Sequence, residues 1–428
     1  MFIFKRLIIT ILLTAVPSGA VPQDLPRLVA RKAPRYSANP KIGPGGDVFK
    51  DSAHFRVYGN NGTESTQALS LLEAAYDCFV GTLGFRSTGI SFWDTSTSGG
   101  PRTKTNVYSV DELPGAAGVM QADHNAGLGW LIVQKDFVAT SGVAVHEYGH
   151  VLHYHQRTWV EQSRTGAWWE TFANWVADTY GTSDLCAPAR RSHKKSIEAT
   201  EINLWKLIGD SFQPLIDGSV GTGNYYEAFP FFTYLTNNPD KYAKLGTKTL
   251  LNMMTKYKLN SNETPLHTLQ RISGKTPVAD IIGSYWARMA YVDIGHTLAY
   301  QAFLDHRQDF NYANVDSKGK NLYTVKPERR PQYMGANIIP LTTTGGNVTA
   351  KITTKGLYRA TLVVHNDSTT RYVKFHYGSA TVSIESGEEI SLVVAHTPGL
   401  ILYDPFDLSI EAKQGLDYSF TLSGAAIL

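Results

Sequence analysis

Val143-Ala144-Val145-His146-Glu147-Tyr148-Gly149-His150-Val151-Leu152-His153 is the stretch on which the reading of this 428-residue chain turns. Apolar positions surround its polar ones, Thr140 or Ser141 can cap a helix start, and a Trp130-Leu131-Ile132-Val133 strand signal precedes it. On an α-helix, residues four apart share a face, so His146 and His150 aim their imidazoles at one point. Two nitrogens are thereby offered to a metal. Glu147 borders the same site, where its carboxylate can take a proton from an activated water. The His-Glu-x-x-His pattern binds zinc in many hydrolases. The competing reading, two core histidines beside a bystander glutamate, would need partners for buried imidazoles.

A catalytic zinc site needs a third protein ligand and keeps a fourth position open. The metzincin pattern would place histidine at position 156, which is Gln156. His153 lies a helical turn past the pair and His155 is turned away, so both are read as packing or supporting residues. Glu170 is the better candidate, in Trp168-Trp169-Glu170-Thr171-Phe172-Ala173-Asn174-Trp175-Val176-Ala177-Asp178. Glu170, Asn174 and Asp178 recur at intervals of four on a helix that is otherwise aromatic or small. Ligation by Glu170, with Asn174 and Asp178 orienting the histidines through hydrogen bonds, accounts for that stripe. A solvent-facing polar side accounts for it without a metal, and Glu161 and Asp178 are rival third ligands.

Here the chain resembles the gluzincin zinc metallopeptidases, the thermolysin-like group with two histidines on one helix and a glutamate on the next. His146, Glu147 and His150 match the motif, and the 19 residues between His150 and Glu170 match the interval. The resemblance implies a zincin-like catalytic domain, zinc held by His146, His150 and Glu170, and Glu147 as general base. One departure is Asn174, where that group commonly has an aspartate; an amide lends a histidine ligand less basicity. A downstream tyrosine stabilises the oxyanion in some gluzincins, and in Asn224-Tyr225-Tyr226-Glu227 that role falls to Tyr226 slightly ahead of Tyr225, unless both are plain core tyrosines. The motif-level resemblance covers Trp130 to Asp178. More loosely, the Trp-Trp-Glu helix followed by a β domain looks like a family of uncharacterised secreted microbial proteins.

Working outward, residues 1–20 read as a signal peptide: a Lys5-Arg6 start, an apolar run from Leu7 to Val16, and Pro17-Ser18-Gly19-Ala20 before cleavage. No other stretch is long and apolar enough to cross a membrane, so the expected location is extracellular. Residues 21–46 read as an extended arm or short propeptide, with Arg31-Lys32 as a processing site or an ordinary basic pair. Asn61, Asn262, Asn347 and Asn366 head Asn-x-Ser/Thr triplets. Cys78 and Cys186 can make one bridge in an oxidising compartment.

Strand signals occur at His54 to Tyr58 and at Ile90-Ser91-Phe92-Trp93. Leu69, Leu72, Tyr76, Phe79 and Val80 mark an amphipathic helix that carries Cys78. Helical patterning holds from about Thr140 to Asp305, and beyond Pro331 short β-rich runs alternate with Gly and Asn/Asp turns. The expected fold is α+β, with a catalytic domain over 47–331, largely helical after the motif, and an all-β sandwich-like domain over 332–428.

Composition agrees with an ordinary folded protein: 43% hydrophobic, 18% charged and 23 tyrosines. Forty basic against 37 acidic residues leave a net charge of +3, too little to point to nucleic acid. No phosphate-cradling loop and no Ser or Cys nucleophile pattern is visible. Arg190-Arg191-Ser192-His193-Lys194-Lys195 can attract an acidic glycan or form a solvated loop. Trp159, Trp168, Trp169 and Trp175 line a cleft or pack their helix. The function that follows is a secreted zinc metallopeptidase acting on peptide or glycoprotein substrates. The alternative is a secreted carbohydrate- or protein-binding protein with a structural or vestigial metal site, which has no need of Glu147.

Overall fold

The computed structural model describes residues 34–95, 101–366 and 369–428. The signal-peptide residues 1–20 and the Arg31-Lys32 pair lie outside them. The described end of the arm is fastened to the body: Tyr36–Ser37 pairs in parallel with Arg102–Thr103, and the buried Asn106 amide donates to the carbonyls of Asn39 and Ile42.

Five strands rich in Val, Tyr, Leu and Ile form the first sheet: β1 (Phe49–Asp51), β2 (Phe55–Tyr58), β3 (Thr105–Val110), β4 (Gly118–Asp123) and β5 (Leu128–Gln134). Their order is β1-β2-β3-β5-β4. β2, β3 and β5 run parallel, while β1 and β4 are antiparallel to their neighbours. β4 is therefore an edge strand. The Ala117 carbonyl accepts from the Gln134 amide, so strand alternation turns the main-chain groups of Gly118, Met120 and Ala122 away from β5.

The helices pack on this sheet. α1 (Thr63–Tyr76) runs on into a π-helical turn, Asp77–Thr82, which carries Cys78 into a disulfide with Cys186. α2 (His146–His155) follows directly on a second π-helical turn, Ser141–Val145, and α3 (Gln162–Thr182) comes after a six-residue connection. Neither hydroxyl expected to cap this start does so, because Thr140 donates to the Phe137 carbonyl and Ser141 to the Glu198 carboxylate. Ile90 to Trp93 forms a turn and not the strand its composition suggests. The reason is Arg86, whose guanidinium takes the carbonyls of Ile90, Ser91 and Asp94, groups a ladder would need.

The C-terminal region is β-rich, as its texture implied. Its strands are β6 (Val315–Ser317), β7 (Leu322–Val325), β8 (Ala336–Thr342), β9 (Gly346–Thr354), β10 (Tyr358–His365), β11 (Thr370–Lys374), β12 (Ser379–Ile384), β13 (Glu389–His396), β14 (Tyr418–Ser423) and β15 (Ala426–Ile427). They form two sheets, β11-β10-β13-β8-β15 and β12-β9-β14-β7-β6. Two of these strands, β6 and β7, precede Pro331.

The sheets share a core to which one contributes Ile339, Leu362, Leu392 and Val394 and the other Val348, Ile352 and Phe420. Ile338, Val363, Val393 and Ala395 point the other way, into the core of the helical region. Alternation thus sends successive side chains into two different cores, and both must be apolar, which is why Leu362-Val363-Val364 and Leu392-Val393-Val394 read as unbroken apolar runs. The helix that covers the outer face is α4 (Val278–Met289), whose Trp286 indole donates to the Met334 carbonyl at 2.7 Å.

Two outcomes follow. A chain ending at Pro331 strips the covering sheet from α4 and should be insoluble or lack near-UV circular dichroism; a soluble, cooperatively folding fragment would contradict the shared core. Replacing Cys78 and Cys186 by Ala should lower unfolding free energy in urea by up to about 4 to 5 kcal/mol, the loop-entropy ceiling for the 108-residue separation.

Candidate metal centre

The site is built where α2 crosses α3. A Cβ placed on Gly149 would lie 2.9 Å from the Ala173 Cα, so only glycine lets the two helices approach this closely. His146 and His150 flank Gly149 on α2, while Glu170 and Asn174 flank Ala173 on α3. The crossing therefore brings four polar side chains together inside an apolar contact.

Glu170 Oε2 lies 3.3 Å from His146 Nε2 and 3.3 Å from His150 Nε2. One donor atom from each of the three residues falls within 4.8 Å of the others, the only such His/Cys/Asp/Glu group among the described residues. The proton positions follow from a backbone carbonyl. Tyr226 O can only accept, so the group 2.6 Å from it is the Asn174 amide nitrogen. The Asn174 Oδ1 then faces His146 Nδ1 at 2.6 Å and must accept, which puts a hydrogen on Nδ1 and leaves the Nε2 lone pair in the site. Buried Glu170 Oε2 has no hydrogen-bond partner. Donor atoms this close need a proton or a cation between them, and the three-residue geometry fits a metal ion.

The electrostatics agree. Burial works against charge on His146, but Glu170, Glu147 and Asn174 outweigh it and raise its proton affinity above that of ordinary histidine. Burial likewise opposes the Glu170 carboxylate, yet the two imidazoles hold its pKa far below the usual range. A field that favours a proton on Nε2 also favours a metal cation.

Glu147 is buried, which raises its pKa, while the two imidazoles and the Met120 backbone amide on β4, which faces its carboxylate, work against that shift. It lines a cleft of about 820 Å³ with the three candidate ligands and Tyr226. The walls are Phe92, Trp93, Val119, Met120, Tyr154, Val160 and Trp169. The Tyr226 ring stacks near His146 at 6.3 Å. Burial and the Glu170 carboxylate raise its phenol pKa, so it keeps its proton. Tyr225 packs instead against Tyr226 and Phe406, at 4.6 and 5.6 Å.

The remaining candidates stand outside the three-residue cluster. Asp178 pairs with His296 at 2.9 Å and accepts from Thr200 and the Glu201 amide. Glu161 accepts from the Asn260 amide across a loop. His153, which burial keeps neutral by lowering its pKa to about 3, bonds the Thr158 carbonyl. His155 ties α2 to the Ile90 carbonyl and the Gly129 amide. Trp159, Trp168 and Trp175 are core residues, and of the four only Trp169 reaches the cleft. In the basic cluster Arg190 is buried on the Tyr180 carbonyl, and His193 pairs with Asp77 at 2.7 Å. Two contributors were missed: the Tyr226 carbonyl and the Met120 amide. Both are main-chain groups brought in by the fold, and no residue type signals them.

Residues 59–426 match the model of a family of unknown function, DUF6055, and the chain belongs to that family. No curated protein matches it.

One divalent metal ion per chain is expected by elemental analysis after dialysis. His146→Ala or His150→Ala should abolish stoichiometric binding, and Glu170→Ala should weaken it far more than Glu161→Ala. Asn174→Ala should lower affinity roughly 10- to 100-fold in a chelator competition; equal metal content in the Glu170 variant and wild type would remove that residue from the site.

Proposed function

We propose that this member of the DUF6055 family is a secreted zinc-dependent metallopeptidase, built on a zincin-like catalytic half, that hydrolyses peptide bonds of protein or glycoprotein substrates. One observation carries the reading: two imidazole nitrogens and a carboxylate oxygen with no hydrogen-bond partner converge in a cleft beside a buried glutamate. The Cys78–Cys186 bridge suits an oxidising compartment and supports secretion.

Zinc held by His146, His150 and Glu170 would supply Lewis acidity toward a carbonyl oxygen and toward water. Glu147 accepts the proton of the attacking water and returns it to the leaving amine; burial tunes its carboxylate upward for that exchange. The Tyr226 phenol, still protonated, donates to the oxygen that becomes negative as the carbonyl is attacked. An extended peptide suits the cleft because the β4 edge offers main-chain groups along one wall. Asn174 keeps the His146 lone pair directed inward throughout.

Cleavage of an unfolded protein by zinc-loaded enzyme, blocked by chelator, tests the reading. Glu147→Gln should retain zinc and fold while losing about 10² to 10⁴ in rate, since an amide cannot accept the proton. Tyr226→Phe should lower kcat by roughly 10²-fold with zinc content and Tm unchanged. Undiminished turnover in the Glu147 variant would assign the base elsewhere.

A further inference from the structure

Trp93 is 59% exposed, yet it is among the most heavily braced residues of the cleft rim. Its indole N–H donates to the His124 carbonyl at 2.7 Å, and its backbone amide to Ser91 Oγ at 3.2 Å. Ser91 Oγ in turn donates to the Ala126 carbonyl, and the Phe92 amide to the Gly127 carbonyl, each at 2.7 Å. Gly127 has φ +65°, and a Cβ there would lie 2.8 Å from Trp93 Cδ1. Beneath the turn, Arg86 donates to the carbonyls of Ile90, Ser91, Asp94 and His155, joining it to the end of α2. Phe92 meets Trp93 edge-on at 4.9 Å and stacks on Tyr154 at 5.0 Å. A mobile surface tryptophan needs none of these bonds; together they hold a flat apolar face in a fixed place on the cleft wall.

Its distance from the chemistry can be read along β4. The Glu147 carboxylate faces the Met120 amide, and the Trp93 indole donates to the His124 carbonyl. From Met120 to the end of β4 at Asp123 the extended chain spans about 10 Å, and His124 opens the turn just beyond. A peptide lying along this edge advances by about the same rise, so the residue that meets Trp93 stands about four positions from the bond beside Glu147.

We propose that Trp93, backed by Phe92, is a specificity subsite for a bulky apolar, preferably aromatic, side chain about four residues from the cleaved bond, which makes the enzyme an endopeptidase needing an extended substrate. The proposal rests on the peptidase reading. Ala122, Val119 and Val160 line the same cleft as the platform and add apolar surface for a hydrocarbon side chain.

The test separates binding from cleavage. Ten-residue Ala/Gly/Lys peptides, each with one Phe scanned along the chain or Ser in its place, are titrated against the chelator-treated protein, and the same peptides are offered to the zinc-loaded protein. Wild type should bind the best Phe peptide roughly tenfold more tightly than its Ser counterpart. Trp93→Ala should erase that preference and Trp93→Phe largely restore it, with zinc content and Tm unchanged in both. Cleavage should then fall about four residues from Phe, and tripeptides should be poor substrates. Equal binding of Phe and Ser peptides, a preference that survives Trp93→Ala, or cleavage next to Phe would each overturn the subsite. Quenching of Trp93 fluorescence by a chito-oligosaccharide but not by the Phe peptides would overturn it in favour of a glycan. Trp93-dependent Phe preference in binding without hydrolysis of any peptide would uphold the subsite and remove the peptidase reading instead.

Discussion

The close crossing of two helices at Gly149 and Ala173 is the constraint on which the rest of the site depends. His146 and His150 share a face of α2 by helical geometry alone, but a pair of imidazoles is half of a metal centre. Glu170 joins them only because the helix backbones nearly touch, with no Cβ at Gly149 to keep them apart. The large aromatic residues of α3 fill the space around that contact: Trp168, Phe172 and Trp175 are buried on the faces that Glu170 and Asn174 do not use. An apolar environment then makes the polar cluster consequential, because each buried lone pair must find a proton, a donor or a cation.

Support for the cluster reaches well beyond the two helices. The Tyr226 carbonyl that orients Asn174 belongs to a loop braced from the C-terminal region: the Gly218 amide donates to Pro405, the Tyr403 phenol to the Ile216 carbonyl, and Tyr225 packs on Phe406. The C-terminal sheet buries one face against its partner sheet and the other against α4. Through these contacts the β-rich region holds the loop whose carbonyl sets the His146 tautomer, although it contributes no side chain to the metal cluster. The Cys78–Cys186 bridge works from the opposite side, tying the end of α1 to the chain just after α3.

What was legible in the chain was local. The i,i+4 spacing of His146 and His150 follows from the helical period, and the four-residue stripe on α3 identified Glu170 for the same reason. The alternation of β-rich runs after Pro331 announced strands. Errors came where a tertiary contact competed with local preference: Ile90 to Trp93 has strand composition, but Arg86 captures its carbonyls. Asp178, on the same stripe as Glu170, lies two turns on and found His296, a residue 118 positions away that no local pattern could pair with it.

The sequence by itself thus determined which residues offer metal-binding atoms, a carboxylate beside them and a disulfide pair, since side-chain chemistry and helical period need no tertiary contact to be read. Tertiary structure alone decided which polar atoms meet. The Asn174 amide, the Tyr226 carbonyl, the Met120 amide on the sheet edge and the braced Trp93 platform are brought together by pairings across tens of residues. Hydrogen bonds between such distant groups depend on packing and strand register, which a linear pattern does not carry.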